Sequence, residues 1–167
     1  MTLLLLTIAA AAATIWMIAA PGARFLPEFA RLLSAPRIER GPFSFFSGRS
    51  YVRGAFQGRE VAVRLQLKRS RYGQGYLVVA LRLEGSATLD EAGGGASIDA
   101  HIHDPAGRRA LSLLASHDVL PSVEEGWLKG LWQPQGFIIF PGRFSPDKWR
   151  QVLESMRTLA TSLEGAV

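Results

Sequence analysis

The chain has 167 residues, no cysteine and a formal net charge of +5 at pH 7. This length leaves room for one domain of about 120 residues beside an anchor, which is enough to bury one hydrophobic core. The lack of cysteine excludes a disulfide framework, a thiolate metal site and a thiol nucleophile.

Residues 2–20 predict a transmembrane helix. Their sequence, TLLLLTIAAAAATIWMIAA, contains no charged residue, glycine or proline, and Pro21-Gly22 ends it. A helix of this length extends about 29 Å, close to the thickness of the hydrocarbon core. A cleaved signal peptide is an alternative, since Ala19-Ala20 could form a cleavage site, but the usual basic N-terminal segment is absent. A buried core helix is the third alternative.

The distribution of charge predicts the orientation of this single span. No Lys or Arg precedes the span, and four arginines follow it: Arg24, Arg31, Arg37 and Arg40. The excess of arginine places the following domain in the cytoplasm. Residues 43–86 carry a net charge of +6, whereas residues 87–167 carry −3. We therefore expect the basic part to meet the lipid bilayer, through anionic headgroups or an acidic protein partner. Nucleic acid ranks lower, because the anchor already places this part beside lipid.

Residues 21–42 are predicted to form a juxtamembrane neck. Within it, Phe25, Phe29, Leu32 and Leu33 form one apolar stripe at helical spacing. Such a helix can lie in the membrane interface or pack on the domain, and the sequence leaves both positions open.

The domain, residues 43–167, begins with three predicted strands. Apolar residues alternate with other residues over residues 51–57, 61–68 and 76–84, and Gln57-Gly58 predicts a turn. Three consecutive strands joined by short links predict an antiparallel meander.

Four basic residues are predicted to lie on the outward face of this sheet. Successive residues of a strand point to opposite faces, so an apolar inner face leaves the alternate positions on one outer surface. The residues are Arg53, Arg64, Lys68 and Arg82. This surface is a candidate docking face for anionic lipid or an acidic partner, and the alternative is an ordinary solvated sheet face.

The segment after the meander combines strand and helix signals. Residues 97–103 predict a fourth strand, after which Asp104 and Pro105 open a helix as N-cap and first helical residue. The capping box at residues 122–125 predicts a further short helix. Residues 136–140, with the sequence GFIIF, predict a buried strand.

A C-terminal amphipathic helix closes the domain. Ser145 and Pro146 are typical of a helix start, and Gly165 of a helix end. Apolar residues recur at helical spacing from Trp149 to Leu163, which predicts one continuous apolar face packed on the sheet. The predicted fold is therefore α+β: an N-terminal transmembrane helix, then an antiparallel sheet packed by the C-terminal helix.

The most prominent candidate for chemistry is a pair of histidines. On a strand, Asp99, His101 and His103 would share one face and could bind zinc or another divalent ion. Only His117 or Asp118 offers an obvious further ligand. The sequence has no Gly-x-Ser-x-Gly nucleophile motif and no dinucleotide fingerprint. We therefore assign no catalytic, cofactor-binding or metal-binding residue, and no cofactor.

The order of elements and several short segments point to one group of proteins. The segments are YVRGAFQGREV at residues 51–61, IDAHI at residues 98–102 and the helix carrying Leu113-Leu114. With the apolar strand and closing helix that follow, residues 43–164 resemble a group of uncharacterised bacterial membrane-associated proteins. The resemblance implies a bacterial origin and an α+β domain near a membrane span, and it carries over no functional residue.

The sequence thus predicts a membrane-anchored, non-enzymatic interaction or scaffold domain at the cytoplasmic surface of a membrane. One alternative is a metal-dependent enzyme using His101 and His103. Another is a periplasmic or secreted protein with a cleaved signal peptide.

Overall fold

The computed structural model describes residues 5–10, 25–39, 51–67, 75–84, 98–132 and 145–165 of the chain. Residues 5–10 (α1) and 25–30 (α2) are helical, and a 3₁₀ helix covers Ile98–His101. The two longer helices are α3 (Pro105–Ser116) and α4 (Pro146–Gly165). The strands within these ranges are β1 (Ser34–Glu39), β2 (Tyr51–Phe56), β3 (Arg59–Leu67), β4 (Gly75–Arg82), β5 (Val119–Glu124) and β6 (Trp127–Trp132).

These strands form one antiparallel sheet in the order β1-β2-β3-β4-β6-β5. Because β2, β3 and β4 are consecutive neighbours, the predicted meander is confirmed. Gln57 and Gly58 form the turn between β2 and β3, with φ of 48° and 87°. A type I′ hairpin turn requires positive φ at both central residues. Glu125 and Gly126 repeat the pattern between β5 and β6, with φ of 53° and 73°.

Each edge strand of the sheet contains a proline, Pro36 in β1 and Pro121 in β5. Proline has no backbone N–H, so it cannot donate a hydrogen bond to a further strand. Pro121 is the register partner of Gly130 in β6. A hydrogen-bonded pair would need an N–H from both residues, so the nitrogen of Pro121 faces away from β6. Among the described strands, a proline on an edge strand disfavours pairing with another chain.

One face of the sheet holds the core. Alternate residues of the strands are buried there, among them Val52, Val63, Val79, Leu81 and Leu128. α4 packs on this face and buries an apolar stripe of its own: Trp149, Val152, Leu153, Met156, Leu159, Ala160 and Leu163. Burying one Val, Leu or Met side chain is worth about 1.5–3 kcal/mol. The predicted α+β fold, an antiparallel sheet packed by the C-terminal helix, is confirmed.

The helix α2 and the strand β1 belong to this domain. Phe25 and Phe29 are buried in the core. The ring of Trp149 lies 5.2 Å from that of Phe29 and 5.3 Å from that of Trp132, measured between centroids. β1 pairs with β2 along the sheet. Of the two positions that the sequence left open for the neck helix, the structure shows packing on the domain. Residues 25–39, assigned to the neck, are part of the core and the sheet.

The helix α1 is the described part of the predicted membrane span. The side chains of Leu5, Leu6 and Ile8 on it are 59%, 69% and 58% exposed. Residues 2–4 and 11–20 of the span lie outside the described residues. Among the helices that the structure describes, none is both long and apolar enough to cross a membrane. The transmembrane helix is therefore without support from the structure and stays a prediction.

The fourth strand predicted over residues 97–103 is wrong. Ile98–His101 is a 3₁₀ helix, and the chain enters α3 four residues later. Ile98 and Ile102 are both buried. Residues four apart share a face of a strand as well as of a helix, so the apolar pattern predicts the burial of both isoleucines and does not distinguish the two structures.

The short helix predicted near residues 122–125 is also wrong, because Val119–Glu124 is the strand β5. Val119 is buried and Val123 packs partly buried against the core. Pairing with β6 along the whole segment provides hydrogen-bond partners that the local sequence does not reveal. Tertiary contacts of this kind outweigh local helix-start signals. The strand predicted over residues 136–140 lies outside the described residues.

Candidate functional site

The face of the sheet opposite α4 carries the predicted basic residues. Residues directly opposite each other on neighbouring strands share a face. By this rule Arg53 lies beside Ala62, Arg64 beside Val78, and Arg82 beside Trp127. We call this surface the outer face. Its members on the four central strands include Tyr51, Arg53, Ala62, Arg64, Val78, Ala80, Arg82, Trp127, Lys129 and Leu131.

The structure therefore brings together three of the four residues predicted to form a docking face. Arg53, Arg64 and Arg82 are all exposed on the outer face. Lys68, the fourth, lies outside the described residues.

Two further cations on the outer face were missed by the sequence reasoning. Arg37 of β1 lies directly opposite Arg53, and Lys129 of β6 lies opposite Ala80. Arg37 was assigned to the neck, and Lys129 follows a segment that was predicted to be helical. The period-two spacing of Trp127, Lys129 and Leu131 was the available signal for β6.

The outer face combines positive charge with aromatic rings. The guanidinium of Arg82 lies 5.2 Å from the ring centroid of Trp127, and that of Arg53 lies 5.2 Å from the ring centroid of Tyr51. Cation–π contacts at these distances hold the charged groups close to the sheet. In the part of the chain that the structure describes, Arg53 and Arg82 form no salt bridge. Glu39 and Glu60 also lie on the outer face, opposite Tyr51 and Ala55, but neither is within salt-bridge distance of these arginines.

No helix among the described ranges covers the outer face. α4 packs against β4 and β6 through the opposite, apolar side, and α3 packs against α4 and β5. Lys129 is the one cation of the face with a described acidic partner, Glu124 of β5. This contact lowers the pKa of Glu124, chiefly through the hydrogen bond that Lys129 donates. Among the described residues, nothing covers the outer face, which is rich in arginine.

A polar groove lies on the other side of the molecule, between the start of α3 and the end of α4. It encloses about 690 Å³ and is lined by His103, Asp104, Ala106, Arg157, Thr158, Thr161, Ser162 and Gly165. Its polar groups are largely engaged within the chain. Asp104 accepts hydrogen bonds from the Gly107 N–H at 2.8 Å and the Ser162 hydroxyl at 3.1 Å. The bond from Gly107 is the main reason that the pKa of Asp104 is lowered. Thr158 and Thr161 donate to backbone carbonyls of their own helix.

The two histidines of the metal hypothesis do not share a strand face. His101 ends the 3₁₀ helix, and its Nδ1 is buried without a hydrogen-bond partner, whereas His103 is exposed. His117 caps the far end of α3, about 18 Å away along a twelve-residue helix. The side chain of Asp99 lies outside the described residues. Across the described ranges, no group of three His, Asp or Glu side chains is placed to hold a metal ion.

A second polar cluster joins the sheet to the end of α4. Both guanidinium NH₂ groups of Arg59 donate to the carboxylate of Glu164 at 2.6 Å, and the Glu84 N–H donates to the same carboxylate at 2.6 Å. The hydrogen bond with Arg59 is the largest cause that lowers the pKa of Glu164 and raises the pKa of Arg59. Each polar group in this cluster has a partner, so its role is to hold α4 against the turn between β2 and β3.

Comparison with known proteins finds no match to a family model, a curated protein or a solved structure. The resemblance to bacterial membrane-associated proteins therefore stays a prediction.

Proposed function

We infer that the chain is a single-pass, membrane-anchored interaction domain without enzymatic activity. The observation that carries this proposal is the contrast between α1 and the domain. The domain completes its core with residues from Phe25 onwards, whereas Leu5, Leu6 and Ile8 remain more than half exposed. Apolar side chains that are exposed to water raise the free energy of the protein, and contact with lipid or another apolar surface lowers it.

The sequence supports the rest of the anchor. Residues 2–20 are uncharged and long enough to cross the hydrocarbon core as a helix. Arginines follow this stretch, and none precedes it, which favours a cytoplasmic domain. The resemblance to bacterial membrane-associated proteins implies a domain near a membrane span.

The uncovered outer face supports an interaction role. Exposed arginines with no described carboxylate partner favour a binding partner of opposite charge. Anionic headgroups or an acidic protein have the required chemistry. The proposal that the domain is not an enzyme comes from the sequence, which contains neither a cysteine nor a Gly-x-Ser-x-Gly motif.

Membrane fractionation of the full-length chain in a bacterial host tests the anchor. After an alkaline carbonate wash, the chain should stay in the membrane pellet. Replacing Leu6 and Ile8 with aspartate should release it, because an aspartate at the centre of a span costs up to about 3.5 kcal/mol. The control Leu113→Asp places the same residue at an exposed site on α3 and should leave the chain in the pellet.

Two outcomes would contradict the proposal. Recovery of the wild-type chain in the wash supernatant would refute the anchor. A mature N-terminus beginning near residue 21, measured by mass spectrometry, would establish a cleaved signal peptide instead. Reporter fusions at the C-terminus test the orientation, since a reporter that is active only in the cytoplasm should be active.

A further inference from the structure

We propose that the outer face docks flat on the anionic phospholipid headgroups of the membrane that holds the anchor. The inference rests on the proposed anchor and specifies the partner of the interaction domain. Charge, apolar exposure and the reach of the chain each support this choice of partner.

The β1–β2–β3 part of the outer face provides the charge. Arg37 lies directly opposite Arg53, and Arg64 lies one strand further along. Like charges directly opposite each other on neighbouring strands are destabilising. Glu39 and Glu60 also lie on this part of the face, opposite Tyr51 and Ala55, and offset part of its positive charge. A phosphate between two guanidinium groups would remove this repulsion, and guanidinium binds phosphate in a bidentate manner. Neighbouring strands are about 4.8 Å apart, so the three groups span a patch small enough for one or two headgroups.

The β4–β6–β5 part of the same face provides apolar surface. Val78, Leu131 and Leu120 are successive register partners across these strands, and Leu120 is 67% exposed. Trp127 lies at the border of this row, with Arg82 over its ring. Cations beside apolar and indole groups are typical of surfaces that bind in the headgroup region of a membrane. A purely acidic partner would match the arginines and leave the row of Val78, Leu131 and Leu120 in water.

The reach of the chain favours the same membrane. Four residues separate the end of the predicted span at residue 20 from Phe25, the first described residue of α2. Four extended residues reach at most about 14 Å. A tether this short keeps the headgroups within reach of the domain, which raises their effective concentration.

Site-specific labelling of the full-length chain tests the docking. The chain has no cysteine, so one introduced cysteine reports one position. Ser122→Cys places it on the outer face opposite Lys129, and the control Glu154→Cys places it on the exposed side of α4. Each chain is reconstituted into nanodiscs of phosphatidylcholine alone or with added phosphatidylglycerol. The rate of reaction with a membrane-impermeant maleimide is then measured. We expect slower reaction of the Ser122→Cys chain in anionic discs only, and equal rates for the control in both.

Charge reversal identifies the contact. The double substitution Arg53→Glu and Arg64→Glu, added to the Ser122→Cys chain, should restore fast labelling. An arginine near an anionic surface strengthens binding about fivefold, so two reversals should weaken docking at least about 25-fold. Arg150→Glu with Arg157→Glu makes the same change in net charge on the exposed side of α4 and should leave the protection intact. Added salt should reduce the protection.

The failures of the two proposals are distinguishable. A chain that does not co-purify with nanodiscs of either composition contradicts the anchor. A chain that co-purifies, but whose Ser122→Cys site reacts equally fast in both disc types, overturns the docking and leaves the anchor standing. Protection that requires added polyglutamate, and does not appear with phosphatidylglycerol, would overturn the docking in favour of an acidic protein partner.

Discussion

Replacing Glu164 with glutamine should destabilise the domain by more than the loss of a surface ion pair. The side chains of Arg59 and Glu164 are only 11% and 16% exposed, and two charge-assisted hydrogen bonds of 2.6 Å join them. Exposed pairs contribute about 0.2–1 kcal/mol, whereas breaking a fully buried pair costs about 3–5 kcal/mol. Glutamine retains an oxygen that can accept from the Glu84 N–H. We therefore expect a loss of about 1–2 kcal/mol.

Unfolding of the full-length chain in detergent micelles measures this loss. Tryptophan fluorescence reports the transition, because Trp149 is buried in the core. A loss of 1–2 kcal/mol corresponds to a decrease in Tm of about 3–8 °C for a domain of this size. The control Glu28→Gln removes a pair with Arg31 whose side chains are 38% and 75% exposed. It should change stability by less than about 0.5 kcal/mol.

The contribution of the Arg59–Glu164 pair should also depend on pH. The hydrogen bond from Arg59 holds the pKa of Glu164 below its ordinary value. The folded state therefore favours the charged carboxylate. The stabilisation is fully present above the ordinary glutamate pKa of about 4.3 and is lost as the pH falls through the lower folded-state value. The difference between wild type and Glu164→Gln should shrink on acidification. A difference that is constant with pH, or a coupling below about 0.3 kcal/mol in a double-mutant cycle with Arg59→Met, would refute this reasoning.

Two further substitutions test the packing of the core. Gly130→Ala places a Cβ 2.9 Å from Val119 Cγ1 and 3.1 Å from Met156 Sδ, so overpacking should cost about 1–3 kcal/mol in denaturant unfolding. An unchanged unfolding midpoint would show that α4 and β5 can move apart at no cost. Phe29→Ala removes a fully buried ring of α2 and should cost about 3–5 kcal/mol. The exposed control Leu120→Ala should change stability by less than about 0.5 kcal/mol. Equal effects of these two substitutions would contradict the placement of α2 in the core.

The central sheet and the C-terminal helix could be predicted because their signals are local and long. Nine residues of β3 and twenty of α4 each follow one period without interruption. The same alternation of apolar and other residues along the strands predicts that Arg53, Arg64 and Arg82 lie on one surface. Arg37 and Lys129 could not be added, because their positions depend on strand neighbours that the sequence does not name.

The hairpin of β5 and β6 shows why a local signal can mislead. Glu125-Gly126 adopts the same pair of positive φ values as Gln57-Gly58, yet only the earlier turn was predicted. Long alternating runs flank the earlier turn, whereas Pro121 and the acidic residues before Gly126 are also typical of a helix start. The hydrogen bonds between β5 and β6 make this segment a strand. β6 also pairs with β4, which lies about fifty residues earlier in the chain.

α2 belongs to the core and β1 to the sheet, so both must be kept in any fragment that is to fold. A fragment starting after residue 42 would lose Phe25 and Phe29, leaving the rings of Trp132 and Trp149 without their cover. It would also make β2 an edge strand, and β2 contains no proline. A fragment with this new edge would tend to self-associate. A fragment starting at Phe25 would instead keep α2 and β1, so the choice of starting residue decides whether β2 is covered.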